Sequence, residues 1–175
     1  MGTTTLDPFS TAHQALWDAL TGYQPWANLI RGNKVQVNQG IQFPPKFEAE
    51  DFQAGDAPEV TILQGPYQTD PFQVNSLACS LVQSYPMILI AADHNILPVN
   101  DVKFQTLRAI LTAGPHLGLP RLIRNVSMTK GQDDPFPAQK REQKGAARWV
   151  SVCTFMVYMI VNKADVLSGV IPTTP

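Results

Sequence analysis

The stretch Arg148–Asn162, RWVSVCTFMVYMIVN, is the strongest strand signal in this chain. β-branched and aromatic residues dominate it, and it contains neither glycine nor proline, which favours an extended backbone. Side chains alternate between the two faces of a sheet, so its odd and even positions face opposite ways. Both sets are largely apolar: Trp149, Ser151, Cys153, Phe155, Val157, Met159 and Val161 form one, and Val150, Val152, Thr154, Met156, Tyr158 and Ile160 the other.

We therefore expect this strand to be covered on both faces, since a strand with one solvated face carries polar side chains at alternate positions. Two arrangements satisfy this expectation. In the first, the strand lies centrally beneath a layer of helices. In the second, one face packs on the chain's own helices and the other face packs on a neighbouring subunit. Both arrangements predict Phe155, Val157 and Tyr158 in or beside the core.

The whole chain of 175 residues predicts a single α+β domain. Its sheet is expected to be mostly antiparallel, with two helices packed on one face and long loop excursions. Asp7 followed by Pro8 is typical of a helix start, and residues 7–31 predict the N-terminal helices. Residues 59–166 are expected to contain the sheet, and residues 168–175 a flexible tail.

Residues 77–130 predict the order strand, helix, strand. Pro86 lies within the strand-like run Leu77–Ala92. Because proline has no N–H for the ladder, it is expected at a bulge, an edge or a break between two strands. A helix is predicted at 99–113, followed by the strand Leu122–Lys130. The apolar stripe of that helix is expected at Phe104, Leu107, Ile110 and Leu111.

Two long polar segments, 33–58 and 131–147, interrupt this pattern. Structureless connections of this length are uncommon in a compact domain unless they serve a function. The first is either a solvated surface loop or an arm that becomes ordered against a partner, and the second, which separates two strands, is predicted as a long hairpin loop that also acts as an assembly arm. The first is acidic and the second, with the start of the next strand, is basic, so opposite charges can meet across a subunit boundary. The candidate assembly-interface residues are Glu48, Glu50, Asp51, Asp56, Lys140, Arg141, Lys144 and Arg148.

Composition and charge exclude several classes of partner. The net charge of −1 does not provide the positive field that nucleic-acid binding requires. The longest apolar run, Trp149–Val161, is too short to cross a bilayer as a helix. The N-terminal residues lack the charged and apolar regions of a signal peptide. We expect a soluble chain made in a cytoplasm, with neither a membrane nor a specific nucleic acid as partner.

The residues that could carry chemistry do not form a catalytic pattern. Asp93 and His94 follow a strand, but a turn explains them better because adjacent side chains point in different directions. Cys79 and Cys153 lie in apolar strand-like runs and are interpreted as buried thiols. The histidines also lack the spacing of a zinc site: His13, His94 and His116. The prediction is a protein that is not an enzyme, with no catalytic residue, no metal and no cofactor.

The order of the predicted elements between residues 7 and 165 points to a family. An amphipathic helix (AHQALWDALTG), a short helix (PWANLIRG) and a strand (PEVTIL) open the domain. A strand (YPMILIAA), a helix (DVKFQTLRAILTAG) and a terminal pair of strands follow. In this order and in length the chain resembles the tail-terminator or tail-completion proteins of long-tailed phages.

The resemblance implies a structural virion protein of the tail or neck, made in the host bacterial cytoplasm. Such proteins form a homo-oligomeric ring, a hexamer, on the last ring of the tail tube at its head-proximal end. The ring stops tube growth and offers a docking surface to the head connector or stopper protein. The implied partners are further copies of the chain, the tail tube protein and the connector or stopper. The chain departs from the family in its longer 33–58 segment and its 131–147 excursion.

Two other classes of function stay open. One is another neck or head-completion protein, or a structural component of the baseplate type. The other is a small ligand-binding or enzymatic α+β domain that uses Asp93 and His94. An apolar pocket with titratable groups of shifted pKa would favour the second class.

Overall fold

The structure, a computed structural model, describes residues 7–30, 58–70, 77–91, 97–135 and 149–164. Its helices and antiparallel sheet confirm the predicted α+β class. Within the described ranges the elements, in chain order, are α1 (Pro8–Thr21), α2 (Gln24–Ala27), β1 (Glu59–Ile62), β2 (Tyr67–Asp70), β3 (Ala78–Ala91), α3 (Leu97–Ala113), β4 (Ile123–Pro135) and β5 (Trp149–Asn162).

The apolar stretch that predicts the longest strand forms β5, which lies inside a sheet of order β1-β3-β5-β4. β5 pairs antiparallel with β3 from Ala78 opposite Asn162 to Ala91 opposite Trp149. On its other side it pairs antiparallel with β4, and β2 adds a second partner to the outer edge of β3. A strand with neighbours on both edges has partners for its backbone N–H and C=O groups, which a buried strand requires.

β4 is longer than the sequence predicts, since it ends at Pro135 and not at Lys130. Asp133 pairs with Ser151 of β5, and the register shifts between Lys130 and Asp133. The first residues of the predicted 131–147 excursion therefore belong to the sheet. Their composition is polar, but ladder pairing along β5 supplies partners for their backbone groups, and this outweighs weak strand propensity.

Pro86 lies inside β3, where it pairs with Thr154 of β5. On the other edge of β3 the neighbour changes at this point, because β1 ends opposite Met87 and β2 begins opposite Gln83. The Pro86 carbonyl accepts a hydrogen bond from the N–H of Leu63 at 2.8 Å. Because Leu63 directly follows β1, Pro86 faces the connection between β1 and β2. β3 itself continues unbroken through Pro86, so its own run is not split; the residue without an N–H lies where the neighbouring strand changes from β1 to β2.

One face of the sheet carries the hydrophobic core. Phe155 and Val157 of β5 and Tyr85 of β3 are fully buried on this face. Asp7 caps α1 as predicted, and the Tyr85 hydroxyl donates to the carbonyl of Phe9 in the first turn at 2.7 Å. The residues that α1 contributes to the core are spaced four apart, which places them on one side of the helix: Ala12, Leu16 and Leu20.

Strand alternation decides which of the other predicted core side chains are buried. Tyr158 is 39% exposed, so its predicted place in or beside the core is wrong. It follows Val157 directly and therefore points to the opposite face of the sheet. Cys153 is buried as predicted, whereas Cys79 is only half-buried, with its Sγ 3.7 Å from the carbonyl oxygen of Val161.

α3 packs into the core with a different side from the predicted one. It begins at Leu97, two residues before the predicted start, and ends before Gly114, whose φ of 79° suits a helix C-terminus. Of the predicted apolar stripe only Ile110 packs against the core. Thr106 is fully buried, and its Oγ1 accepts a hydrogen bond from Trp26 Nε1 at 2.8 Å. This hydrogen bond fixes the Thr106 side of α3 against α2. The buried residues of α3 are Val99, Val102, Thr106 and Ala109.

Candidate assembly surfaces

The second face of the sheet, which we call the outer sheet face, is apolar along the two central strands. Tyr158 pairs with Val82, and Val152 pairs with Ile88, so the two strands bring their even-numbered side chains together on this face. These side chains are half-buried or exposed, and they do not pack against the core cluster. The outer sheet face comprises Ser80, Val82, Pro86, Ile88, Val152, Thr154, Met156, Tyr158 and Ile160, and the buried Ser84 lies among them with its hydroxyl donating to the Pro66 carbonyl.

Polar side chains border the outer sheet face on both sides. Among the side chains that the structure describes at this border, Arg124 is charged; it is exposed at the register shift of β4, beside Asn125. A face open to water normally alternates with polar or charged residues, whereas an apolar centre with a polar border is the anatomy of a protein interface. The border residues are Asn125, Ser127 and Thr129 of β4, Thr61 of β1 and Gln68 of β2.

The outward side of α3 carries a second apolar surface, the α3 stripe, formed by Phe104, Leu107 and Leu111. Their exposed fractions are 58%, 41% and 71%. Spacings of three and four residues place them on one side of the helix. Leu97, two turns before Phe104, lies on the same side and is 64% exposed. The Arg108 guanidinium lies 5.9 Å from the centre of the Phe104 ring, so a positive charge borders the stripe.

The outer sheet face and the α3 stripe lie on opposite sides of the molecule. Val102 and Ala109, on the inner side of α3, belong to the same core cluster as Phe155 and Val157 of β5. The outward side of the helix and the outer face of the sheet therefore point away from that core in opposite directions. Neither surface can cover the other within one copy of the chain.

His13 and Tyr85 join α1 to β3 inside the core. Their rings stack with centroids 5.2 Å apart and an angle of 14° between the planes. Burial lowers the pKa of His13, and a hydrogen bond with the backbone of Ile62 opposes that shift. The Nε2 atom of His13 is buried without a hydrogen-bond partner. Burial raises the pKa of Tyr85, and the negative charge of Asp7 adds to the effect. These shifts describe a packed pair with both groups neutral at pH 7.

A cleft of about 350 Å³ opens beside α1 and α2, with Trp17 and Trp26 among its lining residues. The described residues that line this cleft include no titratable side chain. In the part of the chain that the structure describes, no three His, Cys, Asp or Glu residues are grouped so that they could hold a metal ion. Asp93 and His94 lie outside the described residues, so the hypothesis of a ligand-binding or enzymatic site there stays open.

The charged residues predicted to form the assembly interface all lie outside the described residues, and their role stays a prediction. They are Glu48, Glu50, Asp51, Asp56, Lys140, Arg141, Lys144 and Arg148. The predicted assembly interface does not include the α3 stripe, because the sequence pattern places Phe104, Leu107 and Leu111 in the core. The available signal was that α3 also has a second set of residues at helical spacing, Val99, Val102, Thr106 and Ala109. A helix with two such sides can bury only one of them against its own sheet.

No protein-family model matches this chain, and a search of curated proteins likewise found no match. Within the described ranges, no helix combines the length and the hydropathy needed to cross a membrane.

Proposed function

We propose that this chain is a structural virion protein that forms a ring at the head-proximal end of a phage tail tube, as tail terminators do. The ring stops growth of the tube and joins it to the head connector or stopper protein. The observation that carries the proposal is the presence of two apolar surfaces, the outer sheet face and the α3 stripe, on opposite sides of one small domain. A subunit with two different adhesive surfaces joins its neighbours head to tail, and such contacts form a ring where the rotation between neighbours closes and a filament where it does not.

The order of elements supports the same proposal. The resemblance to tail terminators implies helices before the first strand and a helix between later strands of an antiparallel sheet. In the chain, α1 and α2 precede β1, and α3 lies between β3 and β4. The position in the virion, the hexameric ring and synthesis in the host cytoplasm are the parts of the proposal that follow from the resemblance.

The experiment that tests the proposal uses the purified full chain in two steps. Light scattering and negative-stain microscopy are expected to reveal a closed ring of six copies. Added to growing tubes of the tail tube protein, the ring is expected to bind one end of the tube and stop elongation. A chain that stays monomeric at every concentration and leaves tube length unchanged would contradict the proposal.

A second candidate is another neck, head-completion or baseplate structural protein, which the same two surfaces also support. The tube experiment separates the two candidates. A ring that leaves tube growth unaffected, and instead binds the isolated head connector or a baseplate component, favours the second candidate.

A further inference from the structure

We infer that the α3 stripe of one copy packs on the outer sheet face of the next copy, so that a second copy of this chain is the partner of both surfaces. This inference rests on the proposed ring and specifies the contact from which the ring is built.

The dimensions of the two surfaces match. The exposed apolar positions of α3 extend from Leu97 to Leu111, about 21 Å at a rise of about 1.5 Å per residue. On β5 the outer-face side chains extend from Val152 to Ile160, about 26 Å at a rise of about 3.3 Å per residue. The apolar band is two strands wide, with strand axes about 4.8 Å apart. A single helix, about 10 Å across, covers such a band.

The chemistry of the two surfaces also matches. The described side chains of β3 and β5 on the outer sheet face are uncharged, so Phe104, Leu107 and Leu111 can pack on these two strands, while Arg124 stays at the β4 border where water reaches it. Arg108, which borders the α3 stripe, then meets the polar border of the sheet face. Thr61 and Gln68, on the border away from Arg124, offer oxygen acceptors to a guanidinium.

Symmetry favours the head-to-tail contact over a two-fold dimer. A two-fold contact buries the same surface on both copies and leaves the other apolar surface of each copy in water. A closed head-to-tail ring covers both surfaces of every copy. Since the two surfaces point in opposite directions, one copy can use both at once; a rotation between neighbours that closes then gives a ring, and one that does not close gives a filament.

Each contact is small, which determines how the ring forms. A footprint of about 21 by 10 Å projects to about 200 Å² on the helix side, far less than the roughly 800 Å² of accessible surface that each partner buries in a standard stable interface. Isolated pairs are therefore weak. Ring closure gives every copy two contacts, and the last contact forms within one assembly at high effective concentration. We expect the fraction of chains in rings to rise steeply with protein concentration, and few free dimers to be present at any concentration.

The test damages one surface at a time in the full chain. Leu111→Glu places a carboxylate in the α3 stripe, and Tyr158→Glu places one in the outer sheet face. Thr112→Glu is the matched control, because Thr112 is exposed beside Leu111 but lies off the stripe. The two surface variants are each expected to weaken ring formation at least about tenfold, as expected for a charge placed in an apolar contact. The control is expected to assemble like the parent.

Mixing the two variants distinguishes the head-to-tail contact from the alternatives. The Leu111→Glu copy keeps an intact sheet face and the Tyr158→Glu copy keeps an intact helix stripe, so one contact can form between them. An equimolar mixture, cross-linked at high concentration, is expected to yield a heterodimer that neither variant yields alone, and no ring. Phe104→Glu and Met156→Glu repeat the test on each surface if either first variant fails to fold by circular dichroism.

Several outcomes would overturn the inference and leave the proposed function distinguishable. If the parent forms rings and both surface variants form them equally well, the ring stands and this contact is wrong. Loss of assembly in the helix variant alone, with no heterodimer in the mixture, indicates a two-fold contact between α3 helices. If the parent is monomeric yet binds tail tubes, and both surface variants lose that binding, the tube protein is the partner. A parent that neither assembles nor binds tubes contradicts the proposed function itself.

Discussion

Trp26 and Thr106 form a buried hydrogen bond, in which the indole Nε1–H donates to Oγ1 of Thr106 at 2.8 Å and both side chains are fully buried. The Thr106 hydroxyl donates in turn to the carbonyl of Val102 at 2.7 Å. Each polar group of this contact therefore has a partner, as burial of a polar group requires. The contact fixes the orientation of α3 in which Phe104 and Leu111 face outward.

Thr106→Val should destabilise the fold, because it keeps the shape of the side chain and removes the acceptor of the Trp26 N–H. A buried donor without a partner costs about 1–3 kcal/mol, measured as the free energy of unfolding in denaturant. Trp26→Phe removes the donor, so adding Thr106→Val to that variant should cost less than it costs in the parent. Equal costs in both backgrounds would show that the hydrogen bond does not stabilise the helix contact.

Phe155→Ala and Tyr158→Ala should separate the two faces of β5. Phe155 is fully buried, and its truncation is expected to cost about 3–5 kcal/mol. Tyr158 lies on the outer sheet face, and its truncation should cost the isolated copy about 1 kcal/mol or less while weakening assembly. Denaturant unfolding at a concentration where the chain is monomeric measures the first effect, and light scattering measures the second. Similar losses of stability in both variants would contradict the assignment of faces.

His13 should make the fold less stable in mild acid. Burial lowers its pKa in the folded chain below the ordinary value of 6.5, so the unfolded chain binds the proton more tightly. The contribution of His13 to stability is complete above 6.5 and declines as the pH falls from there through the lowered pKa. His13→Phe keeps an aromatic ring against Tyr85 and should flatten this part of the profile of unfolding free energy against pH. Parallel profiles for parent and variant would mean that His13 titrates alike in both states.

Replacing Lys140, Arg141 and Lys144 together by glutamate should weaken assembly and leave the copy folded. Rim charges are worth about 0–1 kcal/mol each, but a cluster repeats at every subunit boundary of a ring. The effect should be larger at low salt, where charges are less screened. Restoring opposite signs by also reversing Glu48, Glu50 and Asp51 should recover assembly.

Light scattering at several salt concentrations, followed by docking onto tail tubes, measures this effect. A variant that assembles and docks like the parent at every salt concentration would show that the two charged segments are solvated loops rather than arms.

Local signals in the sequence were sufficient for the helices and the long strands of this fold, but they did not predict β2, Tyr67–Asp70. A run of β-branched and aromatic residues predicts β5 because its preference for extended backbone does not depend on its neighbours. The Asp7–Pro8 pair and Gly114 mark a helix start and a helix end for the same reason, since caps act within one turn. The place of Pro86 opposite the change from β1 to β2 fits its missing N–H. Proline cannot donate to a strand ladder, whatever residues surround it.

The sequence by itself therefore determined the α+β class and the long strand with two apolar faces. Only the tertiary structure decided which apolar surface is core and which is left for a partner. α3 carries apolar residues on two sides, and the choice between them depends on Trp26, which lies 80 residues away in the chain and needs the Thr106 acceptor. Tyr158 and Val157 are both apolar enough for a core. Val157 is buried because it lies on the face of the sheet that α1 and α3 cover, and Tyr158 lies on the other face. Such choices depend on contacts between distant segments, which no local pattern encodes.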